Sequence, residues 1–301
     1  MMDFPLLITG ASGQLGHALA ERAGWRGLDH RAVSRPEFDF DDPASVGRCF
    51  HEASPALVIN AAAWTAVDAA ESNPEAAYRA NRDGPALLAA LCRDAGIPLI
   101  HVSTDYVFDG SKGAPYSETD PVAPLGVYGA SKQAGEAAVL DSGAQAIIMR
   151  TAWVYAARGK NFPRTMINAA RRTGSLRVVA DQHGAPTAAE DLADAILAIV
   201  QRIRERGWRE DYQGVVHAAN AGATSWFGFA EAIFDAAAGH GVPRPDITPI
   251  ATADWPTPAR RPADSRLDCA RLKRVFGISL PPWQEAVRRV IPAMLAAEAH
   301  S

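Results

Sequence analysis

The chain of 301 residues is 48% hydrophobic and 21% charged, which is enough apolar material for one large domain or two smaller ones. Its formal net charge of -4 gives no electrostatic attraction to nucleic acid or to an anionic membrane, so we expect neither as a partner. The amino terminus lacks a secretory pattern, no stretch reaches the ~20 apolar residues of a membrane span, and the three cysteines lack metal-ligand spacing. We therefore expect a cytoplasmic protein with reduced thiols.

A glycine-rich turn follows the first predicted strand. Residues 4–9 form a short apolar run, and the sequence GASGQLG follows at residues 10–16, ahead of a predicted helix. Glycines at such a turn let the backbone approach a pyrophosphate, whose charge then lies on the free amides of the helix N-terminus. The spacing differs from the better-known G-x-G-x-x-G, and a glycine-rich turn without a ligand is the alternative. The turn predicts a dinucleotide site.

A hydroxyl and a guanidinium follow the second predicted strand, residues 31–34. An acidic residue at this position would accept the ribose hydroxyls of NAD, whereas Ser34 and Arg35 suit a 2′-phosphate better. We therefore predict NADPH as the cofactor, with NADH as the alternative; an exposed turn arginine is equally compatible with the sequence. Asp39 and Phe40 come next, and Phe40 is either a wall for the adenine or a core residue.

Residues 56–60 form the third predicted strand, which is followed by three small residues. Small side chains at the end of a strand let the backbone and a cofactor come close together. We therefore predict that Ala61, Ala62 and Ala63 contact the cofactor. Residues 76–95 are predicted to form one long amphipathic helix that covers the sheet. Asn81 within it is predicted to be exposed, and a contact with the strand-end loops is the alternative.

The fourth predicted strand, residues 97–102, ends in the hydroxyls of Ser103 and Thr104. After a loop, Tyr128 and Lys132 follow at a spacing that places phenol and ammonium on one face of a helix. A cation beside a phenol lowers the pKa of the phenol, which makes tyrosine a usable proton donor for carbonyl reduction near neutral pH. The pattern alone is a weak signal, since a solvated helix face also produces it.

The remaining elements complete an alternation of strands and helices that predicts a doubly wound α/β fold of the Rossmann type, with a mostly parallel sheet. They are helices at 130–140, 162–172 and 189–206 and strands at 146–149, 176–180 and 214–219. Ligands of such sheets bind at the carboxyl ends of the strands. The motifs found so far all lie at these ends, which are marked by Gly13, Ala62, Thr104 and Trp153.

The pattern changes after residue 219. Residues 225–238 and 283–297 predict helices, and the proline-rich stretch 242–262 predicts a fixed, extended loop. In that loop Arg260 and Arg261 can clamp a diphosphate, and a solvated basic pair is the alternative. We predict a smaller, interleaved α+β substrate-binding lobe. Our predicted boundaries are 1–155 plus about 175–219 for the dinucleotide-binding domain, and about 156–174 plus 220–301 for the lobe.

These motifs together resemble the extended short-chain dehydrogenases and, within them, the dTDP-4-dehydrorhamnose reductases. The resemblance covers nearly the whole chain and rests on GASGQLG, NAAAWTAVDAAE, STDYVFDG, YSETDPVAPLGVYGASKQAGE, RTAWVYA, DQHGAPT, WPTPARRPADSRL and LPPW. It implies NADPH-dependent reduction of the C4 keto group of dTDP-4-dehydro-β-L-rhamnose to dTDP-L-rhamnose. This is the last step of dTDP-rhamnose biosynthesis for cell-surface polysaccharide, and it needs an epimerase upstream.

The resemblance also implies roles for individual residues. Tyr128 is the expected proton donor, Lys132 its activator and ribose anchor, and Thr104 the partner of the reacting oxygen. Asp105 and Trp153 are expected to contact the sugar. With the motifs above, the expected cofactor contacts are Gly10, Gly13, Gln14, Leu15, Gly16, Ser34, Arg35, Asp39, Phe40, Ala61, Ala62, Ala63, Tyr128 and Lys132, and the expected substrate contacts are Thr104, Asp105, Trp153 and Arg260.

The sequence departs from the pattern of this family at the expected metal-binding acids. Some of these reductases form a dimer bridged by Mg²⁺ through glutamates, and Glu190 matches one of them. Ala18 and Ala293 stand where we would expect the other acids. We therefore predict no metal, with Mg²⁺ at Glu190 as the alternative, and either a monomer or a homodimer.

Two other functions stay open. The first is another nucleotide-sugar enzyme on the same scaffold, an epimerase or a dehydratase, and Asp105 beside the catalytic threonine does not exclude it. The sequence WPTPARRP argues against it. The second is a non-catalytic NADP-binding regulatory subunit, such as the relatives that regulate methionine adenosyltransferase. An intact set of Thr104, Tyr128 and Lys132 favours catalysis, because a binding module needs no tuned phenol.

Overall fold

The fold is seen in a computed structural model that describes residues 4–299. The strands are β1 Leu6–Thr9, β2 His30–Val33, β3 Leu57–Asn60, β4 Leu99–Thr104, β5 Ala146–Thr151, β6 Val154–Tyr155, β7 Ser175–Val179, β8 His183–Gly184, β9 Thr187–Ala188, β10 Gly214–His217, β11 Thr224–Ser225 and β12 Asp246–Ile250. The helices are α1 Gln14–Trp25, α2 Pro43–Ala53, α3 Val67–Ser72, α4 Pro74–Tyr78, α5 Gly84–Ala95, α6 Val127–Asp141, α7 Phe162–Ala170, α8 Ala189–Arg206, α9 Trp226–Ala237, α10 Ala270–Phe276 and α11 Trp283–Ala299.

Six strands form a parallel sheet in the order β10-β5-β4-β3-β1-β2. The direction in which the chain adds strands reverses between β1 and β3, which is the switch point where doubly wound sheets bind ligands. The α/β fold predicted from the alternation of elements is confirmed. The predicted fourth and fifth strands both extend further, to Thr104 and Thr151, so the hydroxyl of Thr104 is held by the sheet itself.

Both faces of this sheet are covered, which explains why the central strands β1 and β3 are fully buried and mostly apolar. Leu6 and Ile8 point to the side where α1 and α8 pack, and Leu7 points to the side of α2 and α5. Because successive side chains alternate between the faces, one strand supplies both cores.

Strands β7 and β12 pair in parallel outside the six-stranded sheet. The prediction of an extended loop over the whole proline-rich stretch is wrong at Asp246–Ile250, which form β12. Pro249 is tolerated in β12 because a strand with one neighbour has an edge that needs no N–H donor. Helix α10 was not predicted. The division into two domains stays a prediction.

The predicted helix at 76–95 is interrupted by a π-helical turn at Arg79–Asp83, between α4 and α5. Asn81 in this turn is buried, so our prediction of an exposed side chain is wrong. Its side-chain oxygen accepts from the backbone N–H of Trp64 at 2.8 Å, and its amide nitrogen donates to Ser131 Oγ at 3.0 Å. The wider turn directs Asn81 inward, where it ties the loop after β3 to α6.

Within residues 4–299, we find no helix with both the length and the apolar character needed to cross a membrane.

Candidate active site

A cavity of about 590 Å³ lies at the carboxyl ends of the strands around the switch point. Its lining includes all the predicted catalytic and cofactor-binding residues together with Asp105 and Trp153. Two predicted residues lie elsewhere, namely Arg260 and Glu190. The lining also contains polar and aromatic residues that sequence analysis did not single out, among them Ser12, Thr65, Lys160 and Trp226.

The glycine-rich turn is shaped by two close approaches. Gly10 has φ 74°, and a Cβ there would lie 2.7 Å from the main chain of Ala61 and Ala62. At Gly16 a Cβ would lie 2.1 Å from the carbonyl oxygen of Gly10, so α1 can begin directly behind the turn only because this residue has no side chain. Gly13 caps α1 without a side-chain hydrogen bond, which leaves the helix N-terminus free to receive an anion.

Residues after β2 also line the cavity. Ser34 is half-buried and Arg35 is exposed at the rim. Phe40 lines the cavity and also packs on the core, since a Cβ at Gly84 would lie 2.2 Å from its ring. The interpretation of Phe40 as a residue packed on the core is confirmed, and its contact with the adenine stays a prediction.

Thr104 and Tyr128 meet in the lining of the cavity. Thr104 lies at the end of β4, and its hydroxyl donates to Asp105 Oδ1 at 3.0 Å. Tyr128 lies in the first turn of α6, with its ring 5.8 Å from that of Tyr106 in an edge-to-face contact. Burial raises the pKa of Tyr128 to about 12, and a hydrogen bond with Thr104 acts in the opposite direction. The phenol is therefore neutral at pH 7 and holds the proton that a general acid must give.

Lys132 lies on the same face of α6 as Tyr128, as the spacing predicted, and its roles as activator and ribose anchor stay predictions. Its ammonium donates to the carbonyl oxygen of Val102 at 2.7 Å. Burial lowers the pKa of Lys132 to about 8, and the charge of Glu136 acts in the opposite direction. The influences on the pKa of Tyr128 are its burial, Thr104 and Asp105, so the structure shows no lowering of this pKa by the Lys132 ammonium.

Asp105 is a buried carboxylic acid beside these hydroxyls, with 1% of its surface exposed. Burial raises its pKa to about 7, against hydrogen bonds from Ser265 and Thr104 that lower it. Its Oδ2 has no hydrogen-bond partner among the described residues. Asp105 can therefore exchange a proton near neutral pH or accept a hydrogen bond from a polar ligand.

Trp153 and Trp226 both line the cavity and form a stacked pair, with ring centroids 3.5 Å apart and planes at 7°. Trp153 adopts φ 47°, in the left-handed region that favours glycine, and its indole packs on Gly184. Trp226 begins α9 behind the capping residue Ser225. The sequence indicates only that Trp226 follows a helix-capping serine, so the position of Trp226 in the cavity could not be predicted from it.

The two arginines of the proline-rich loop have different surroundings. Arg261 pairs with Asp68 at 2.8 Å and is half-buried. Arg260 is exposed and lines a narrow cleft beside Tyr106 and Tyr128, outside the large cavity. The structure therefore does not bring both guanidinium groups to one anion.

A second cavity, of about 460 Å³, lies between α1, α8 and α11 and contains Glu190. Burial raises the pKa of this carboxyl group, and its Oε2 has no partner within the described part of the chain. Ala18 and Ala293 line the same cavity and offer no ligand atoms. Residues 4–299 contain no group of three or more side chains that could hold a metal ion. With alanines at two of the expected acid positions, Glu190 alone does not fit the bridging set, and the absence of a metal stays a prediction.

Comparison with known proteins identifies the family. The family described as RmlD substrate binding domain matches residues 4–296. A protein of Burkholderia thailandensis named dTDP-4-dehydrorhamnose reductase is 45% identical over 298 residues, which are 97% of this chain and 99% of the relative. A protein of the same name from Sinorhizobium fredii is 42% identical over 293 residues, 96% of this chain and 97% of its own.

A solved structure agrees with these relatives. The crystal structure of dTDP-4-dehydrorhamnose reductase from Bacillus anthracis, in complex with NADP, has 33% sequence identity and a TM-score of 0.87. The alignment covers 97% of this chain and 99% of that one. The chain belongs to the dTDP-4-dehydrorhamnose reductase family.

Proposed function

We propose that the protein reduces the C4 keto group of dTDP-4-dehydro-β-L-rhamnose with NADPH to give dTDP-L-rhamnose. The observation that carries this proposal is that Thr104, Tyr128 and Lys132 line the same cavity as the glycine-rich turn. A general acid and an anion-binding helix N-terminus in one cavity are what carbonyl reduction by a phosphorylated nicotinamide cofactor requires.

The residues of the chain divide the work of the reaction. When bound, NADPH supplies the hydride. Thr104 is held by β4 and can donate to the carbonyl oxygen, which keeps that oxygen in line with the phenol. The neutral phenol of Tyr128 then gives its proton to the oxygen as negative charge develops there. Lys132 anchors the ribose and returns a proton to the phenolate.

The indole of Trp153 and the carboxyl group of Asp105 are the proposed contacts of the sugar, and Arg260 at the loop edge is the proposed contact of the diphosphate. An apolar ring face suits a deoxyhexose, which has a methyl group in place of a hydroxymethyl group. Lys160 lines the same cavity and is a second cation within reach of phosphate groups. We also propose that the protein works in the cytoplasm. It is proposed to be a monomer or a homodimer, and light scattering, which measures the molar mass in solution, would distinguish the two.

The test is oxidation of NADPH and of NADH with dTDP-4-keto-6-deoxyglucose as the sugar, in the presence and absence of a purified 3,5-epimerase. Oxidation that depends on the epimerase supports the proposed substrate, and the faster cofactor identifies the preference. Oxidation without the epimerase contradicts the proposed sugar. If both cofactors bind and neither is oxidised, the protein is an epimerase, a dehydratase or a regulatory subunit instead.

A further inference from the structure

A chain of buried polar side chains runs beneath the candidate active site and ends at Lys132. Thr9, Asn60 and His101, at or near the ends of three adjacent strands, are each 0% exposed. Thr9 Oγ1 donates to Asn60 Oδ1 at 2.6 Å, and Asn60 Nδ2 lies 2.9 Å from His101 Nδ1. His101 Nε2 lies 3.5 Å from Lys132 Nζ. The mechanism proposed above gives no role to the first three residues of this chain.

The surroundings of Asn60 fix the direction of its side chain. The backbone N–H of Ala62 can only donate, and it lies 3.2 Å from Asn60 Oδ1. Rotating the amide by half a turn would bring its NH₂ group against that N–H. The oxygen of Asn60 therefore faces Ala62 and Thr9, and its nitrogen donates to His101.

The direction of Asn60 in turn fixes the tautomer of His101. Because Nδ1 accepts a hydrogen bond from Asn60, the ring proton is on Nε2. An imidazolium would carry a proton on Nδ1 as well, opposed to the N–H of Asn60. Burial and the nearby charge of Lys132 also lower the pKa of His101 well below its ordinary value. The ring is neutral and directs an N–H donor at Lys132.

An ammonium group has no lone pair, so only the neutral amine of Lys132 can accept this N–H. We propose that His101 is a positioning residue for Lys132, in which a ring locked by Asn60 holds Nζ against β4 and stabilises the amine form of the lysine. This inference rests on the proposed function and deepens it, because it states how the lysine is prepared to release a proton.

The proton transfers of the proposed reduction show at which step His101 would act. Tyr128 gives its proton to the carbonyl oxygen, one proton of the Lys132 ammonium restores the phenol, and a solvent proton restores the ammonium. His101 gains and loses no proton in this sequence. Its N–H stabilises the amine that exists between the last two steps.

The other charged and polar groups near Lys132 do not favour the amine. Glu136, on the same helix, favours the ammonium, and its charge is paired with Arg150 of β5. The carbonyl oxygen of Val102 accepts from the ammonium, and Asp105 lines the same cavity. Besides burial, His101 is the group within hydrogen-bond distance of Nζ that favours release of the proton.

The tautomer is tested first, in the free wild-type protein. Two-bond proton–nitrogen correlation spectra distinguish the two tautomers of a buried histidine. We expect His101 as the Nε2–H form with no titration across neutral pH. His217 is a matched internal control, because its Nδ1 faces the carbonyl oxygen of Tyr116 at 3.1 Å and must carry the proton. Finding His101 protonated at Nδ1 would overturn the proposal, and this measurement needs no variant.

The second measurement is the titration of Lys132. The chain has four lysines, so carbon-13 spectra of protein labelled at the lysine Cε resolve each of them, and Lys132→Met assigns the one in question. We expect His101→Leu to raise the midpoint of Lys132 by about one pH unit. His101→Gln, whose amide N–H can replace Nε2–H, should restore the wild-type midpoint, and His217→Leu should leave it unchanged. A midpoint that stays or falls in His101→Leu contradicts the proposal.

A pH profile of the reductase reaction separates this inference from the proposed function. If both hold, the alkaline limb of kcat moves by the shift seen in the titration, and KM for NADPH is unaffected. The titration uses neither sugar nor cofactor, so it tests His101 even if no sugar is reduced. If the titration contradicts the role of His101, an active enzyme still supports the reductase.

Discussion

The indoles of Trp153 and Trp226 lie flat on each other, with centroids 3.5 Å apart. Trp226 thus supports the indole of Trp153, which we propose as the contact surface for the sugar. The backbone of Trp153 has a φ angle that tryptophan rarely adopts. Stacking between aromatic rings contributes about 0.5–1.5 kcal/mol beyond the area that it buries. The second indole is therefore expected to affect the substrate site.

Trp226→Ala should raise KM for the nucleotide sugar by about tenfold and leave KM for NADPH within about twofold, because only the contact surface for the sugar loses its support. Steady-state kinetics with each substrate varied in turn measure both constants. Trp25→Ala is the control, since that ring is 69% exposed and outside this cavity. Equal effects on both substrates would show that Trp226 stabilises the lobe in general.

Tyr128→Phe should reduce kcat by about 10²–10⁴-fold, because it removes the proton donor while keeping the ring. The dissociation constant of NADPH, measured by fluorescence titration, should change little. Tyr116→Phe is a suitable control, since its hydroxyl donates to Asp109 outside the cavity. Turnover near the wild-type value in Tyr128→Phe would rule out this tyrosine as the acid.

Arg35→Ala should raise KM for NADPH more than KM for NADH, because only NADPH carries the 2′-phosphate that we assign to this guanidinium. Both KM values are measured on the same variant, so a general loss of folded protein would affect NADPH and NADH alike. Arg31→Ala is the matched control variant, since Arg31 lies nearby but pairs with Glu37 at 2.5 Å and Glu52 at 3.1 Å. If Arg35→Ala changed both constants equally, the side chain would not contact the ribose phosphate.

The stability of the protein should fall as pH rises through the range in which Asp105 ionises. In the unfolded chain this carboxyl group titrates near pH 4, whereas burial raises its pKa in the folded state to about 7. The folded state therefore binds the proton more tightly, and this contribution is complete below about pH 4 and is lost as pH rises to about 7. The difference corresponds to about 4 kcal/mol as an order of magnitude.

Urea unfolding of wild-type protein and Asp105→Asn at about pH 5 and about pH 8 measures this effect. Because asparagine does not ionise, the variant should gain stability relative to wild type at the higher pH. Asp246→Asn, at an exposed position, should follow wild type at both values. Parallel pH dependence in wild type and Asp105→Asn would show that Asp105 is ionised throughout.

Glu136→Gln should cost about 3–5 kcal/mol of unfolding free energy, because it leaves the guanidinium of Arg150 buried without its counter-charge. The pair is 5% exposed on each side, with Arg150 Nη2 2.6 Å from Glu136 Oε2, and Ser103 Oγ donates to the same carboxylate at 2.5 Å. Denaturant titration gives the value. Asp235→Asn breaks an exposed pair with Arg244 and should cost less than about 1 kcal/mol.

The parallel sheet and its binding rim could be predicted because each strand carries its own signal. A strand covered on both faces is a continuous apolar run, and the residues at its carboxyl end must be small or polar to admit a ligand. Gly10 and Thr104 follow this rule, and the structure places them at one cavity. The helix at 189–206 was predicted to the residue, because its apolar periodicity is unbroken.

The features that were missed depend on neighbours distant in sequence. The pairing of β7 with β12 needs a partner that no local pattern indicates. Asn81 was misplaced because the period of an α-helix does not reveal an added residue in a π-helical turn. The spacing of Tyr128 and Lys132 predicted their shared helix face but not the burial that raises one pKa and lowers the other.

The π-helical turn also limits how α6 can rotate. A Cβ at Gly135 would lie 1.9 Å from the carbonyl oxygen of Asn81, so this oxygen fills the place of a side chain on α6. Lys132 and Tyr128 lie about one and two turns earlier on the same helix. The carbonyl oxygen of Asn81 and the missing side chain of Gly135 thus fix how α6 packs on the π-helical turn. Inserting or deleting one residue at 79–83 is therefore expected to displace the phenol of Tyr128 from Thr104, although no catalytic residue is changed.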